Sequence, residues 1–176
     1  MPSIACPEFL ERCLLFDIEV NEKNRIYSIG AVFNNRSFCS PSRKKIDGHF
    51  LAELDVFGAD AQYILGHNIL SHDIPRLKEV SPSLKILQKP AIDTLYLSPL
   101  AFPENPYHRL IKDYQLVRDS INDPAQDARL AGKVFSEQWD AFLKQTENGS
   151  DAPMLYRSFM GKDKDLTERY GDSILN

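Results

Sequence analysis

The chain has little of several features that would place it in a specialised class of protein. Its three cysteines, Cys6, Cys13 and Cys39, are odd in number and lack metal-ligand spacing, which favours reduced thiols. No apolar run approaches the ~20 residues that a membrane helix needs. A basic leader followed by an apolar core is also absent at the N-terminus, so no secretory signal is expected. We therefore expect a cytoplasmic protein without a membrane partner.

Positive charges are also fewer than negative charges. The 21 lysines and arginines are outnumbered by 25 acidic residues, which gives a formal net charge of −4. This balance argues against a protein that binds nucleic acid mainly through an overall positive charge. It does not argue against a nuclease whose acidic pocket is neutralised by metal.

The length and composition fit one globular domain. A chain of 176 residues, 43% hydrophobic and 26% charged, is large enough to bury a full core. It has no internal repeats or low-complexity tracts. We place a main domain at residues 1–145. A polar segment that begins at residue 146 is expected to end the last helix of this domain. The tail over 146–176 is then either an extra helix or the start of a linker to a further domain.

Hydrophobic patterning predicts an α/β protein. Strands are predicted at 12–18, 26–33, 37–40, 62–68 and 90–100, and helices at 48–57, 72–80, 109–119 and 122–145. The strands come first as a meander and then alternate with helices, which predicts a mixed sheet of antiparallel and parallel strands with helices packed against it. Asp123 followed by Pro124 is typical of a capped helix start.

The stretch "LLFDIEV" places two carboxylates together. Residues i and i+2 of a strand share a face, so Asp17 and Glu19 stand side by side at the end of an apolar strand while Ile18 faces the other way. Two close carboxylates repel and resist desolvation. A divalent metal between them would offset this cost, but it needs more oxygen ligands than two side chains supply.

Two further acids occupy comparable junctions. Asp73 follows a buried strand in "GHNILSHDIPRL", and Asp127 lies in the first turn of the capped helix. If these junctions meet at one edge of the sheet, four carboxylates converge. Together with waters, they suit a pair of Mg²⁺ or Mn²⁺ ions that would activate water for phosphodiester hydrolysis. The spacing alone leaves open a solvated strand end.

Three motifs of the chain resemble, in order, the exonuclease motifs of the DEDD superfamily of 3′–5′ exonucleases, which are DnaQ-like proteins. These are "FDIE", "GHNILSHDIPRL" and "NDPAQDARLA". The second, in the form G-x-N-I-x-x-x-D-x-P-x-L, is the most specific and is similar to that of family B polymerase proofreading domains. The run from "IDTLYL" onward also resembles an exonuclease-like domain at the N-terminus of some large bacterial RecQ-like helicases.

This resemblance implies a ribonuclease H-like fold with helices on both faces of the sheet, and two divalent metals. It maps the metal ligands and catalytic carboxylates onto Asp17, Glu19, Asp73 and Asp127. It further implies a 3′–5′ exonuclease that acts on DNA, single-stranded or at 3′ ends, and a chain that can be one domain of a larger helicase. Asp93 of "IDTLYL" is expected to be structural or adjacent to the substrate.

The chain departs from the family at the residue that orients the attacking water. The two branches of the family carry His five residues, or Tyr four residues, before the last Asp, and these positions hold Asn122 and Asp123 here. Asn does not titrate usefully, and Asp123 is expected to cap its helix. We therefore consider three outcomes: His108 substitutes as the catalytic base, the metals alone support slow turnover, or the domain has lost activity and keeps a binding surface.

Substrate contacts are predicted on four segments of the chain. Asn68, after the fourth strand, would contact the terminal nucleotide or, alternatively, cap the next helix. Ile18 and Val20 line the first motif, with Val20 where the family commonly has Thr. Tyr107 could stack on a base, and Asn122 is placed beside the third motif.

Overall fold

The computed structural model describes residues 5–40, 46–105 and 123–151 of the chain. In these ranges an α/β protein is built around one five-stranded sheet. The strands are β1 (Cys13–Val20), β2 (Ile26–Phe33), β3 (Arg36–Cys39), β4 (Tyr63–Gly66) and β5 (Ala91–Asp93). The helices are α1 (Cys6–Leu10), α2 (Gly48–Phe57), α3 (Asp73–Val80), α4 (Thr94–Ala101) and α5 (Pro124–Glu147), and a 3₁₀ turn covers Lys85–Gln88.

The sheet mixes two kinds of strand pairing. Its order is β3-β2-β1-β4-β5. The first three strands form an antiparallel meander, whereas β4 and β5 run parallel to β1. The predicted mixed sheet is therefore confirmed. Since β1, β4 and β5 point the same way, their carboxyl ends lie at one edge of the sheet.

Asparagines shape the turns of the meander. Asn34 and Asn35 have φ values of 48° and 60°, the pair of left-handed conformations that a two-residue type I′ hairpin requires. In the preceding turn, the side chain of Asn21 accepts hydrogen bonds from the backbone N–H groups of Lys23 and Arg25. The turn at Asn21 joins β1 to β2, and the turn at Asn34 and Asn35 joins β2 to β3.

Different helices cover the two faces of the sheet, as predicted. Leu14, Phe16 and Ile18 alternate along β1 and pack on one face in an apolar cluster with α2 and α3. Leu15 and its neighbours on the opposite face pack against α1, α4 and α5. The long helix α5 shows the 3.6-residue period expected of it, since Phe135 and Phe142 are both buried.

The strand predicted over 90–100 is wrong beyond its first residues. β5 ends at Asp93, whose side chain accepts a hydrogen bond from the Leu95 N–H at 2.9 Å and so caps α4. A short apolar run fits a buried strand or a buried helix equally well. Leu97 and Ala101, four residues apart, are both buried, which is the helical period.

Other elements differ in smaller ways. α1 was not predicted, and α5 continues to Glu147, past the predicted division at 145. The helix predicted at 109–119 lies outside the described residues. None of the helices in the described ranges combines the length and the apolar character needed to cross a membrane.

All three cysteines are free, as expected for reduced thiols. Cys6 and Cys13 are buried beside α5, whereas Cys39 is exposed on the edge strand β3. Burial raises the pKa of Cys13 to about 12, so its thiol stays protonated and unreactive at neutral pH.

Candidate metal centre

The candidate site is built on the carboxyl end of β1. Phe16 and Ile18 are buried on one face, whereas Asp17 and Glu19 are half-buried on the other. This alternation follows from the strand period, as the sequence predicted. The register of β1 on β2 shifts between Glu19 and Val20, so the regular pairing ends directly after the second carboxylate.

The start of α5 brings a third carboxylate to the same place. The side chain of Asp123 accepts a hydrogen bond from the Ala125 N–H at 3.0 Å, so Asp123 is the N-cap and Pro124 is the first helical residue, as predicted. Asp127 follows in the first turn, where the partial positive charge of the helix N-terminus favours a carboxylate.

A glycine allows this helix to approach the sheet. Gly30 of β2 lies opposite Asp17 in the strand register. A Cβ atom added at Gly30 would lie 2.3 Å from both the Ala125 nitrogen and the Pro124 carbonyl carbon, and backbone atoms cannot move aside as a flexible side chain can. Only glycine permits this contact, which places Asp127 one turn along the helix, over Asp17.

Three of the four predicted ligands thereby converge. Asp17, Glu19 and Asp127 each offer one carboxylate oxygen, and these three oxygens all lie within 4.8 Å of one another. All three residues are partly exposed, so a solvated ion can reach them. Carboxylate oxygens are the ligands that hard divalent cations such as Mg²⁺ and Mn²⁺ prefer. The group therefore brings together three oxygen donors of the type that a divalent metal binds.

Asp73 lies outside this group of three. It is only 2% exposed, and its Oδ1 accepts a hydrogen bond from the backbone N–H of Ile18 at 2.9 Å. Its Oδ2 lies 3.5 Å from Nδ1 of His72. Burial raises the pKa of Asp73, against the opposing effects of His72 and the Ile18 N–H.

His72 is the histidine that the described structure places beside the carboxylates. Its contact with Asp73 raises the pKa of His72, and the charge of Glu19 adds to this shift. The pKa of His67, in contrast, is lowered by burial, and its Nδ1 lies 2.8 Å from Oγ1 of Thr94. His67 therefore supports the structure, through its contact with Thr94 at the start of α4.

Asp93 organises the loop between β4 and α3. It is completely buried, and its two oxygens accept hydrogen bonds from the backbone N–H groups of Asn68 and Leu70 at 2.8 and 3.0 Å. Asn68 adopts a left-handed conformation, with φ 62°, and is held by this bond. The N-cap of α3 is His72, so the alternative in which Asn68 caps that helix is wrong. The structural expectation for Asp93 is confirmed.

The remaining predicted substrate residues divide into two groups. Ile18 is 3% exposed within the apolar cluster, and Val20 packs against the same cluster; both side chains therefore face away from the carboxylates. Tyr107 and Asn122, and with them the candidate catalytic base His108, lie outside the described residues, and their roles stay predictions.

Sequence reasoning missed two contributors to this site. Gly30 interrupts the apolar strand "IYSIGAVF", and a glycine inside a strand often marks a close backbone approach; that signal was available. The hydrogen bond from Ile18 to Asp73 joins residues 55 positions apart, and no local pattern announces it.

Comparison of the chain with protein-family models, with curated proteins and with solved structures finds no match.

Proposed function

We propose that this chain is a metal-dependent 3′–5′ exonuclease that releases nucleotides from DNA ends by phosphodiester hydrolysis. The convergence of Asp17, Glu19 and Asp127 from β1 and α5 carries this proposal. The ordered resemblance of the three motifs to DEDD exonucleases supports it. The five-stranded mixed sheet with helices on both faces is compatible with a ribonuclease H-like fold.

The chain's own groups would divide the work. The three converging carboxylates would hold divalent cations, Mg²⁺ or Mn²⁺, which when bound supply an activated water and stabilise the leaving oxygen. Their partial exposure leaves the site open to a phosphate. Since the protein carries a net charge of −4, cations at this site would also lower the repulsion between it and single-stranded DNA or a 3′ end.

The first test is a time course on 5′-labelled single-stranded DNA with Mg²⁺ and with Mn²⁺. Wild type should shorten the strand from its 3′ end, and Asp17→Asn should lower the rate by at least about 100-fold, because it removes a charged ligand. Asp60→Asn is the matched control, since Asp60 is exposed before β4 at the opposite edge of the sheet. Equal rates for wild type and Asp17→Asn would refute the proposal.

A second function is favoured by one observation. The carboxylate of Asp123, at a position where one branch of the family has its catalytic Tyr, is committed to the Ala125 N–H. This favours a catalytically weak or inactive DNA-binding module. The resemblance to a domain of RecQ-like helicases further implies that such a module would be covalently linked to a helicase domain in a larger protein. Binding of a 3′-overhang measured by fluorescence anisotropy, without turnover in either metal, would establish this function instead of the exonuclease.

A further inference from the structure

At the candidate site, strand β1 extends beyond the end of its neighbour β4. Its parallel pairing with β4 covers only Cys13 to Leu15, and β4 ends at Gly66, whereas β1 continues to Val20. The last residues of β1 therefore have a strand partner on the β2 side alone. Backbone N–H groups on the other edge need a different acceptor if they are buried.

Ile18 carries such a group. It lies opposite Ile29 in the register with β2, but the N–H and C=O of Ile29 both bond to Ser40 on the far side. The N–H of Ile18 thus points away from β2, toward the space that β4 leaves. There it donates to Oδ1 of Asp73 at 2.9 Å, so a side chain replaces the missing strand.

The other oxygen of Asp73 is also engaged. Oδ2 lies 3.5 Å from Nδ1 of His72, and the residue as a whole is 2% exposed. Asp73 is also the first residue of α3, whose Ile74 and Leu77 are anchored in the apolar core. Its carboxylate is therefore fixed by the helix behind it as well as by its two partners.

We infer that Asp73 is a positioning residue, which holds the Asp17–Glu19 segment through the backbone of Ile18, and that it is not itself a metal ligand. Because Asp17 and Glu19 flank Ile18, anchoring its amide sets the place of both carboxylates relative to Asp127. The inference rests on the metal site of the proposed function. It differs from the ligand set implied by the family resemblance, which counts Asp73 as a fourth ligand.

Binding of Mn²⁺ to the full chain without DNA, measured by the electron paramagnetic resonance signal of the free ion, tests this role. The variant Asp73→Asn keeps an oxygen that can accept a hydrogen bond from the Ile18 N–H, but it removes the negative charge that would attract a metal. Asp73→Asn should therefore bind Mn²⁺ within about 3-fold of wild type, and Asp73→Ala about 10-fold more weakly, whereas Asp17→Asn should lose about 100-fold.

Each other result overturns the inference. If Asp73→Asn loses as much affinity as Asp17→Asn, Asp73 is a ligand. If Asp73→Ala binds like wild type, Asp73 positions nothing. If circular dichroism shows that Asp73→Ala does not fold, hydrogen exchange of the Ile18 amide provides the test. This amide should be protected in wild type and in Asp73→Asn. Fast exchange in either protein would refute the hydrogen bond from Ile18 to residue 73. A wild type that binds no Mn²⁺ would overturn the metal site, and this role with it.

Discussion

The side chains of β1 lie on both faces of the sheet, and they have different roles on the two faces. On the α2 and α3 face, every second residue of β1 up to Ile18 enters one apolar cluster. On the α5 face the apolar contacts fall into two smaller clusters, and β1 ends there in the pair Asp17 and Glu19. The comparison indicates that the first face supplies most of the apolar packing. On the second face, the end of β1 carries a group of carboxylates in place of apolar side chains.

Truncating the apolar face should have the largest effect on stability. Leu54 of α2 is fully buried in its cluster, so Leu54→Ala should lower the free energy of unfolding by about 2–5 kcal/mol, through lost burial and the cavity left behind. Urea denaturation measures this loss. Val56, two residues away, is 77% exposed, and Val56→Ala should stay within about 0.5 kcal/mol of wild type. Equal losses for both variants would contradict the assignment of the core to this face.

On the α5 face, the methyl group that Gly30→Ala adds should weaken metal binding more than it lowers the stability of the fold. Gly30→Ala places a Cβ atom against the backbone of Pro124 and Ala125, so the start of α5 must shift. Overpacking of this kind costs about 1–3 kcal/mol, and Asp127 moves with the helix. We expect a smaller loss of stability than for Leu54→Ala, together with a loss of Mn²⁺ binding that Leu54→Ala does not share.

The control for Gly30→Ala is a glycine with room around it. Gly48, in the first turn of α2, has open space where a Cβ would stand, so Gly48→Ala should keep both the stability and the Mn²⁺ affinity of wild type within about 1 kcal/mol. If Gly30→Ala binds Mn²⁺ as Gly48→Ala does, the position of α5 does not set the site.

Part of this site could be predicted from local rules. The strand period placed Asp17 and Glu19 on one face, and the Asp123-Pro124 pair placed Asp127 in the first turn of α5; both rules concern residues a few positions apart. How these elements meet could not be predicted in the same way. It depends on the contact of α5 with Gly30, and on the point where β4 stops pairing with β1, which are properties of the assembled sheet.

The wrong strand at 90–100 shows the same limit. An apolar run is compatible with a strand and with a buried helix, and the outcome depends on what Asp93 binds. That carboxylate caps α4 through Leu95 and also holds the loop at Asn68 and Leu70. These contacts come from two different parts of the chain, so the sequence around Asp93 alone does not determine its role.

The smallest predicted effect concerns pH and the α5 face. Burial lowers the pKa of His67 in the folded chain below the unfolded value, so folding favours the neutral ring. Its contribution to stability is complete above the unfolded pKa, about 6.5, and is lost as the pH falls through the folded pKa. His72 has the opposite sign, since its folded pKa is raised. The two histidines therefore respond to acid in opposite directions.

Replacing His67 separates these two responses. In His67→Asn, the amide can keep the contact with Thr94 but does not titrate. The free energy of unfolding of wild type should fall relative to this variant between pH 7 and pH 5, by less than about 1 kcal/mol because solvent screens a half-buried ring. His49→Gln, at a side chain that is 83% exposed, should follow wild type. A wild type that gains stability over His67→Asn on acidification would show that the folded chain favours the charged form of His67, and that the ring is not held as a neutral partner of Thr94.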